Sequence, residues 1–173
     1  MVKVFCEGSD DKKFLEVFIK HHNVENIEII SMGGKSKLLD SNSIEYKKTT
    51  KQIGKKIKKV VFVFDCDFEK DDNNCGGCEK SKICFDELKN KLSWDCEIEL
   101  FLFDRNLDYF LMETIKNKEC FEYFDSLINC LGLENIKKNK KPIANLYRSL
   151  YPYPQFDFNH KMFEKLKKKL KYL

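Results

Sequence analysis

The sequence predicts an α/β fold: a Rossmann-like, mostly parallel four-stranded sheet flanked by helices, with a helical C-terminal extension. Short apolar segments alternate with longer amphipathic segments over residues 1–115, and parallel strands need such helical crossovers between them. The segment Val60–Phe64 is apolar at every position, which is typical of a strand buried on both faces of the sheet. We therefore expect an α/β domain at residues 1–115 and a basic helical extension, packed on it, at residues 116–173.

Local sequence signals mark where several of the predicted strands and helices begin or end. Ser9 is a typical N-cap residue, and carboxylates follow it in the first turn, where the helix dipole favours them. Gly33 and Gly34 end the second strand, and Pro152 and Pro154 separate the last two helices. The predicted strands are Val2–Cys6, Ile27–Met32, Val60–Phe64 and Glu97–Phe103. The predicted helices run from Ser9 to about His22, over most of Lys35–Lys58 with a break near Ser41, and over Ser81–Leu92, Leu107–Ile115, Cys120–Leu131, Ile143–Leu150 and Met162–Leu173.

The composition predicts a folded protein that does not enter a membrane. Hydrophobic residues make up 42% and charged residues 35% of the 173-residue chain, which is unlike a disordered protein. The longest apolar runs are too short to span a bilayer, and the N-terminal sequence lacks the pattern of a signal peptide. We therefore expect a cytoplasmic protein without a membrane partner.

The charge is unevenly distributed along the chain. From Glu134 to Leu173 there are eleven Lys and Arg against three Asp and Glu, so the rest of the chain is acidic. A basic region beside an acidic one suits a surface that binds DNA or RNA next to a metal site. The residues predicted to contact nucleic acid are Lys137, Lys138, Lys140, Lys141 and Arg148. The alternative, a solvated helix face with no partner, remains open.

Acidic side chains follow two of the predicted strands. Asp65 and Asp67 come directly after Val60–Phe64, and because alternate residues of an extended chain point the same way, both carboxylates can face one site. Glu7 follows the first strand, and Asp11 lies one helical turn further on. Several carboxylates around one point suit Mg²⁺ or Mn²⁺, which prefer oxygen ligands. The sequence therefore predicts a divalent-metal site at the carboxyl ends of the strands.

These segments resemble the Toprim domain, the metal-binding fold of topoisomerases, bacterial primases and OLD-type nucleases. The resemblance rests on Val4–Asp11 (VFCEGSDD) and Val63–Asp67 (VFDCD), separated by a strand–helix unit that includes a glycine turn. It is strongest to the OLD-type nucleases and small stand-alone Toprim proteins. Asn106–Leu111 (NLDYFL) is similar to their acid-bearing segment, and Lys140–Ala144 (KKPIA) is similar to a Lys-Pro stretch near their C-terminus.

The resemblance implies a Mg²⁺- or Mn²⁺-dependent phosphotransferase, with nuclease as the preferred activity. Glu7, Asp11, Asp65, Asp67 and Asp108 would be metal ligands. Glu7 would also act as general acid or base, and Lys141 would assist the cleavage of the phosphodiester bond. The chain shows no separate domain with a topoisomerase tyrosine and no zinc-binding primase module, which argues against those two activities.

Two other functions remain open at this stage. The first is a Toprim module that binds nucleic acid or recruits a partner without catalysis. The second is a phosphatase of the haloacid-dehalogenase type, which also carries two acids after an apolar strand but normally after its first strand. A homo-oligomer and a separate ATPase partner are both compatible with the sequence.

The eight cysteines are expected to be reduced thiols rather than a disulfide framework. Cys75 and Cys78 have the spacing of a zinc knuckle, with Cys84 six residues further on. Structural zinc needs four ligands, however, so Cys84 and one distant Cys or His would have to complete the set. A loop with incidental thiols is therefore the preferred interpretation, zinc is the alternative, and a disulfide is a lesser option.

Overall fold

The computed structural model describes residues 1–67, 75–114 and 158–171, with isolated positions at 119, 122, 123 and 126. Most of the predicted helix Cys120–Leu131, the whole of the predicted helix Ile143–Leu150 and the basic residues predicted to contact nucleic acid lie outside the described residues. In the described part of the chain, no helix is both long enough and apolar enough to cross a membrane.

The described strands form one parallel sheet, as the sequence predicted. The strands are β1 (Val2–Cys6), β2 (Ile27–Ser31), β3 (Lys59–Asp65) and β4 (Glu97–Phe103), and their order is β2-β1-β3-β4. Every residue of β1 and β3 is buried, because these two strands lie between neighbours and are covered on both faces. The fold class, a Rossmann-like α/β fold with a four-stranded sheet, is confirmed.

The helices lie on the two faces of this sheet. They are α1 (Ser9–His21), α2 (Lys35–Leu38), α3 (Ile44–Thr50), α4 (Cys78–Leu92), α5 (Leu107–Met112) and α6 (Glu164–Leu170), the last preceded by a 3₁₀ turn at Lys161–Phe163. One hydrophobic core contains residues from α1, α5, the 3₁₀ turn and α6 against one face of the sheet. A second core on the opposite face includes Leu38, Tyr46, Phe85, Leu88 and Trp94.

The starts of α1 and α4 differ from the prediction. Gly8, rather than Ser9, is the N-cap residue of α1, and its backbone N–H donates to the Asp11 carboxylate at 2.7 Å. Helix α4 begins at Cys78, one turn before the predicted start at Ser81. Gly77 precedes it with φ = 85°, a left-handed conformation that glycine adopts without the penalty other residues incur.

Candidate functional site

The ends of β1 and β3 lie side by side at the centre of the sheet. Cys6 pairs with Val63, so Glu7, the next residue, enters the loop beside the end of β3. The strand order reverses between these two strands, since β2 lies outside β1 and β4 lies outside β3. In open α/β sheets, this topological switch point is where ligands bind, at the carboxyl ends of the strands.

Asp65 is the last residue of β3 and contacts the start of α5. Its side chain is buried, and its Oδ1 accepts a hydrogen bond from Leu107 N at 3.1 Å. A carboxylate at a helix N-terminus is stabilised by the unpaired N–H groups and the helix dipole. Asp108, the further acid predicted here, lies in the first turn of α5, where the structure describes its backbone alone.

Asp67 forms an ion pair with a lysine that was not predicted to belong to the site. Its Oδ2 lies 3.0 Å from Lys35 Nζ. Lys35 is 9% exposed, and its ammonium group also donates to Cys66 O at 3.2 Å and Cys75 O at 3.0 Å. The ammonium group of Lys35 therefore already lies beside the carboxylate of Asp67. The place of Lys35 directly after Gly33-Gly34 and the second strand could have indicated this position.

Glu7 and Asp11 lie between β1 and α1. Asp11 is fully buried, and its Oδ2 accepts the hydrogen bond from the N-cap residue Gly8. This gives Asp11 a structural role at the start of α1. Glu7 is half-buried, with its Oε2 atom out of contact with solvent. Glu7 O accepts a hydrogen bond from Gly34 N at 2.8 Å, which ties the turn after β2 to the end of β1.

The acids do not form a ready metal-ligand group in the arrangement described. Within residues 1–67, 75–114 and 158–171, no three His, Cys, Asp or Glu side chains are placed to hold a metal ion together. The oxygen donors of Glu7 and Asp65 have the chemistry that Mg²⁺ prefers. Asp67 does not fit as a ligand while Lys35 neutralises its carboxylate.

Four cysteines beside the acids form two disulfides, which contradicts the expectation of reduced thiols. Cys66 pairs with Cys78, and Cys75 pairs with Cys84. The end of β3 is packed against the start of α4, so Cys66 meets a partner twelve residues away. Cys75, Cys78 and Cys84 are thus unavailable as zinc thiolates in this oxidised state.

Several predicted functional residues lie outside the described part of the chain. They are Lys137, Lys138, Lys140, Lys141 and Arg148. Their proximity to the acids therefore stays a prediction from the sequence.

Comparison with known proteins identifies the family but no activity. A family model described as a protein of unknown function, DUF3226, matches residues 1–169. The chain belongs to the DUF3226 family. A search of curated proteins finds no match, and a search of solved structures finds none. Because the description of DUF3226 carries no activity, the function of this member must be argued from its site.

Proposed function

We propose that the protein is a Mg²⁺- or Mn²⁺-dependent phosphotransferase of the Toprim type, acting as a nuclease that cleaves phosphodiester bonds in DNA or RNA. The observation that carries the proposal is the position of Glu7 and Asp65. They follow β1 and β3, the two strands between which the strand order reverses. An acid after each of these strands is also what the resemblance to Toprim domains implies.

Each described residue of the site has a role in this proposal. Glu7 and Asp65 are the carboxylates that would hold the metal, and the hydrogen bond from Leu107 N keeps Asp65 oriented. A bound divalent ion would activate water and stabilise negative charge on the phosphate. Lys35 is a buried cation at the same edge of the sheet, and its charge would act on a phosphate group once its ion pair with Asp67 opens. Lys141 remains the lysine that we propose to assist cleavage.

One observation favours a second candidate, a module that binds nucleic acid without cleaving it. Lys35 neutralises Asp67, and this acid would need to exchange that partner before it could bind a metal. A protein in which Lys35 stays paired with Asp67 would retain the fold and the surface that binds nucleic acid, but it would not cleave the nucleic acid.

The decisive experiment is metal-dependent cleavage of plasmid DNA, single-stranded DNA and RNA. We expect cleavage with Mg²⁺ or Mn²⁺ and a loss of at least about 100-fold in Glu7→Gln and Asp65→Asn, the scale of a missing acid–base group. Asp95→Asn is the matched control, because Asp95 is an exposed acid that precedes β4 at the opposite edge of the sheet. Cleavage that survives both site changes would contradict the mechanism. Binding without metal and without cleavage would support the module.

A further inference from the structure

We propose that a lysine-lined groove beside α6 binds the backbone phosphates of nucleic acid, as a contact separate from the acids Glu7 and Asp65. The groove has a volume of about 640 Å³ and is lined by residues of α6 and of the starts of β3 and β4. Lys59, one of them, is the first residue of β3 and Asp65 is the last, so the two sites are about 20 Å apart at about 3.3 Å per strand residue. Nucleic acid as the ligand rests on the proposed function, but metal binding and cleavage do not enter the argument.

The groove has an excess of three positive charges, because five lysines line it against two glutamates. These residues are Lys59, Lys165, Lys168, Lys169 and Lys171, with Glu97 and Glu99. Lys59 and Lys169 form ion pairs with the two glutamates. The side chains of Lys165, Lys168 and Lys171 are exposed, and they form no ion pair within residues 1–67, 75–114 and 158–171. These three lysines therefore carry the excess charge.

Helix α6 holds the exposed lysines in a defined position. Leu166 and Leu170 are buried in the core beneath it. Lys165 and Lys168 are three positions apart, so they lie on the same side of the helix. The end of α6 is linked to β3, because Lys59 Nζ donates to the backbone carbonyl of the residue that follows α6 at 3.4 Å. The exposed ammonium groups are thus carried by an element that is packed against the sheet.

The stability of α6 does not account for its lysines. Four of its seven residues are lysines, and the helix dipole favours cations only near the C-terminus. Lys165 lies in the first turn instead. It is three and four positions from Lys168 and Lys169, a spacing at which like charges repel. An anion bound in the groove would reduce this repulsion.

The charge pattern of the groove suits a row of phosphates. Lysine binds phosphate as a point charge on a flexible stem, and each phosphate of a nucleic acid strand carries one negative charge. Neighbouring exposed lysines can therefore contact successive phosphates of one strand. Such contacts position the nucleic acid without reading its base sequence.

The test is binding of a labelled single-stranded oligonucleotide by the full chain in the presence of a metal chelator, measured by fluorescence anisotropy at several salt concentrations. The triple variant Lys165→Gln, Lys168→Gln and Lys171→Gln should weaken binding at low salt by at least about 10-fold. Each phosphate contact with a single strand contributes about 0.7 to the slope of log affinity against log salt, so this slope should become shallower by about 2. Circular dichroism should show that the variant is folded, since all three side chains are exposed.

The matched control is the triple variant Lys47→Gln, Lys51→Gln and Lys55→Gln. It removes the same charge from exposed lysines on and after α3, which packs on the opposite face of the sheet. It should retain the affinity and the salt slope of the unaltered chain. Polyglutamate at the same concentration of charge should not displace the oligonucleotide.

Four results would overturn the proposal: no binding by the unaltered chain at low salt, an unchanged salt slope in the groove variant, equal losses in the two triple variants, or displacement by polyglutamate as effective as by unlabelled oligonucleotide. Failure of the proposed nuclease activity is distinguishable from these. Absence of cleavage with Mg²⁺, together with a shallower slope in the groove variant, would contradict the nuclease alone. Cleavage by the unaltered chain, together with unchanged binding by the groove variant, would contradict the groove alone.

Discussion

At the residue scale, Lys35 is a buried lysine that forms an ion pair with Asp67. Its ammonium group donates to Asp67 Oδ2, Cys66 O and Cys75 O and lies 5.8 Å from the centroid of the Phe64 ring. A buried charge is costly unless it is paired and hydrogen-bonded. Lys35 therefore holds together the turn after β2, the end of β3 and the turn before α4.

Replacing Lys35 should destabilise the protein. Lys35→Met removes the cation that pairs with Asp67 and one of the donors to Cys66 O and Cys75 O, so we expect the free energy of unfolding to fall by about 1–3 kcal/mol. Urea denaturation at neutral pH measures this. Lys37→Met, two residues away on an exposed side chain, should change the value by less than about 0.5 kcal/mol. Equal losses in both variants would show that the buried contacts of Lys35 contribute nothing.

At the scale of elements, a cluster of ion pairs links α6 to the outer strand β4. Lys59 Nζ lies 3.0 Å from both Glu97 and Glu99, and Lys169 of α6 forms an ion pair with the other oxygen of Glu99. Burial alone would raise the pKa of Glu99, but hydrogen bonds from Lys169 and Lys59 outweigh it and lower the pKa to about 2. The cluster thus favours the ionised carboxylate and couples α6 to β4.

The lowered pKa of Glu99 predicts how stability depends on pH. Because its pKa is lower in the folded than in the unfolded chain, its contribution is complete above about pH 5 and is lost as pH falls towards 2. Glu99→Gln should lower the free energy of unfolding by about 1–3 kcal/mol at pH 7, and the difference from the unaltered chain should shrink in acid. Urea denaturation between pH 7 and pH 2 measures both. Glu97 is a half-exposed partner of Lys59, so Glu97→Gln should lower the free energy of unfolding by less than about 1 kcal/mol. If the difference between Glu99→Gln and the unaltered chain stays constant with pH, the lowered pKa of Glu99 is contradicted.

At the scale of the whole molecule, the two ends of the described chain share one core. Phe14 and Phe18 of α1 contact Phe158 and Phe163, with ring centroids 5.4–6.0 Å apart. Leu166 and Leu170 of α6 are buried in the same cluster. Residues 158–171 therefore complete one face of the sheet, rather than forming a separate folded unit.

Removing an aromatic side chain from this shared core should affect the whole protein. Phe163 is 2% exposed, and Phe163→Ala should lower the free energy of unfolding by about 3–5 kcal/mol because it leaves a cavity. Thermal or urea unfolding, followed by both tryptophan fluorescence and circular dichroism, should show one common transition. Ile83→Ala is the control, since Ile83 is 59% exposed on α4 and should be nearly neutral. Early, separate loss of the C-terminal helix would contradict the single shared core.

The sheet could be predicted from the sequence because a buried strand has a recognisable apolar pattern in its own residues. An uninterrupted apolar run such as Val60–Phe64 marks a central strand, and β3 is central in the structure. The parallel direction of the strands then places Glu7 and Asp65 at the same end of the sheet. The same reasoning missed the true N-cap at Gly8 and the early start of α4 at Cys78, because both depend on contacts between the chain and a glycine backbone.

The fold class, the burial of β3 and the end of the sheet at which the acids gather were predictable from the sequence, since they follow from hydrophobic pattern and strand direction. The contacts among the groups at that end could be read only from the folded chain. The tertiary structure placed Lys35 against Asp67 and brought Cys66 to Cys78, pairs separated by 32 and 12 positions. The physical reason is that such pairings depend on how the crossover segments return to the strand ends, and spacing along the chain does not specify that path.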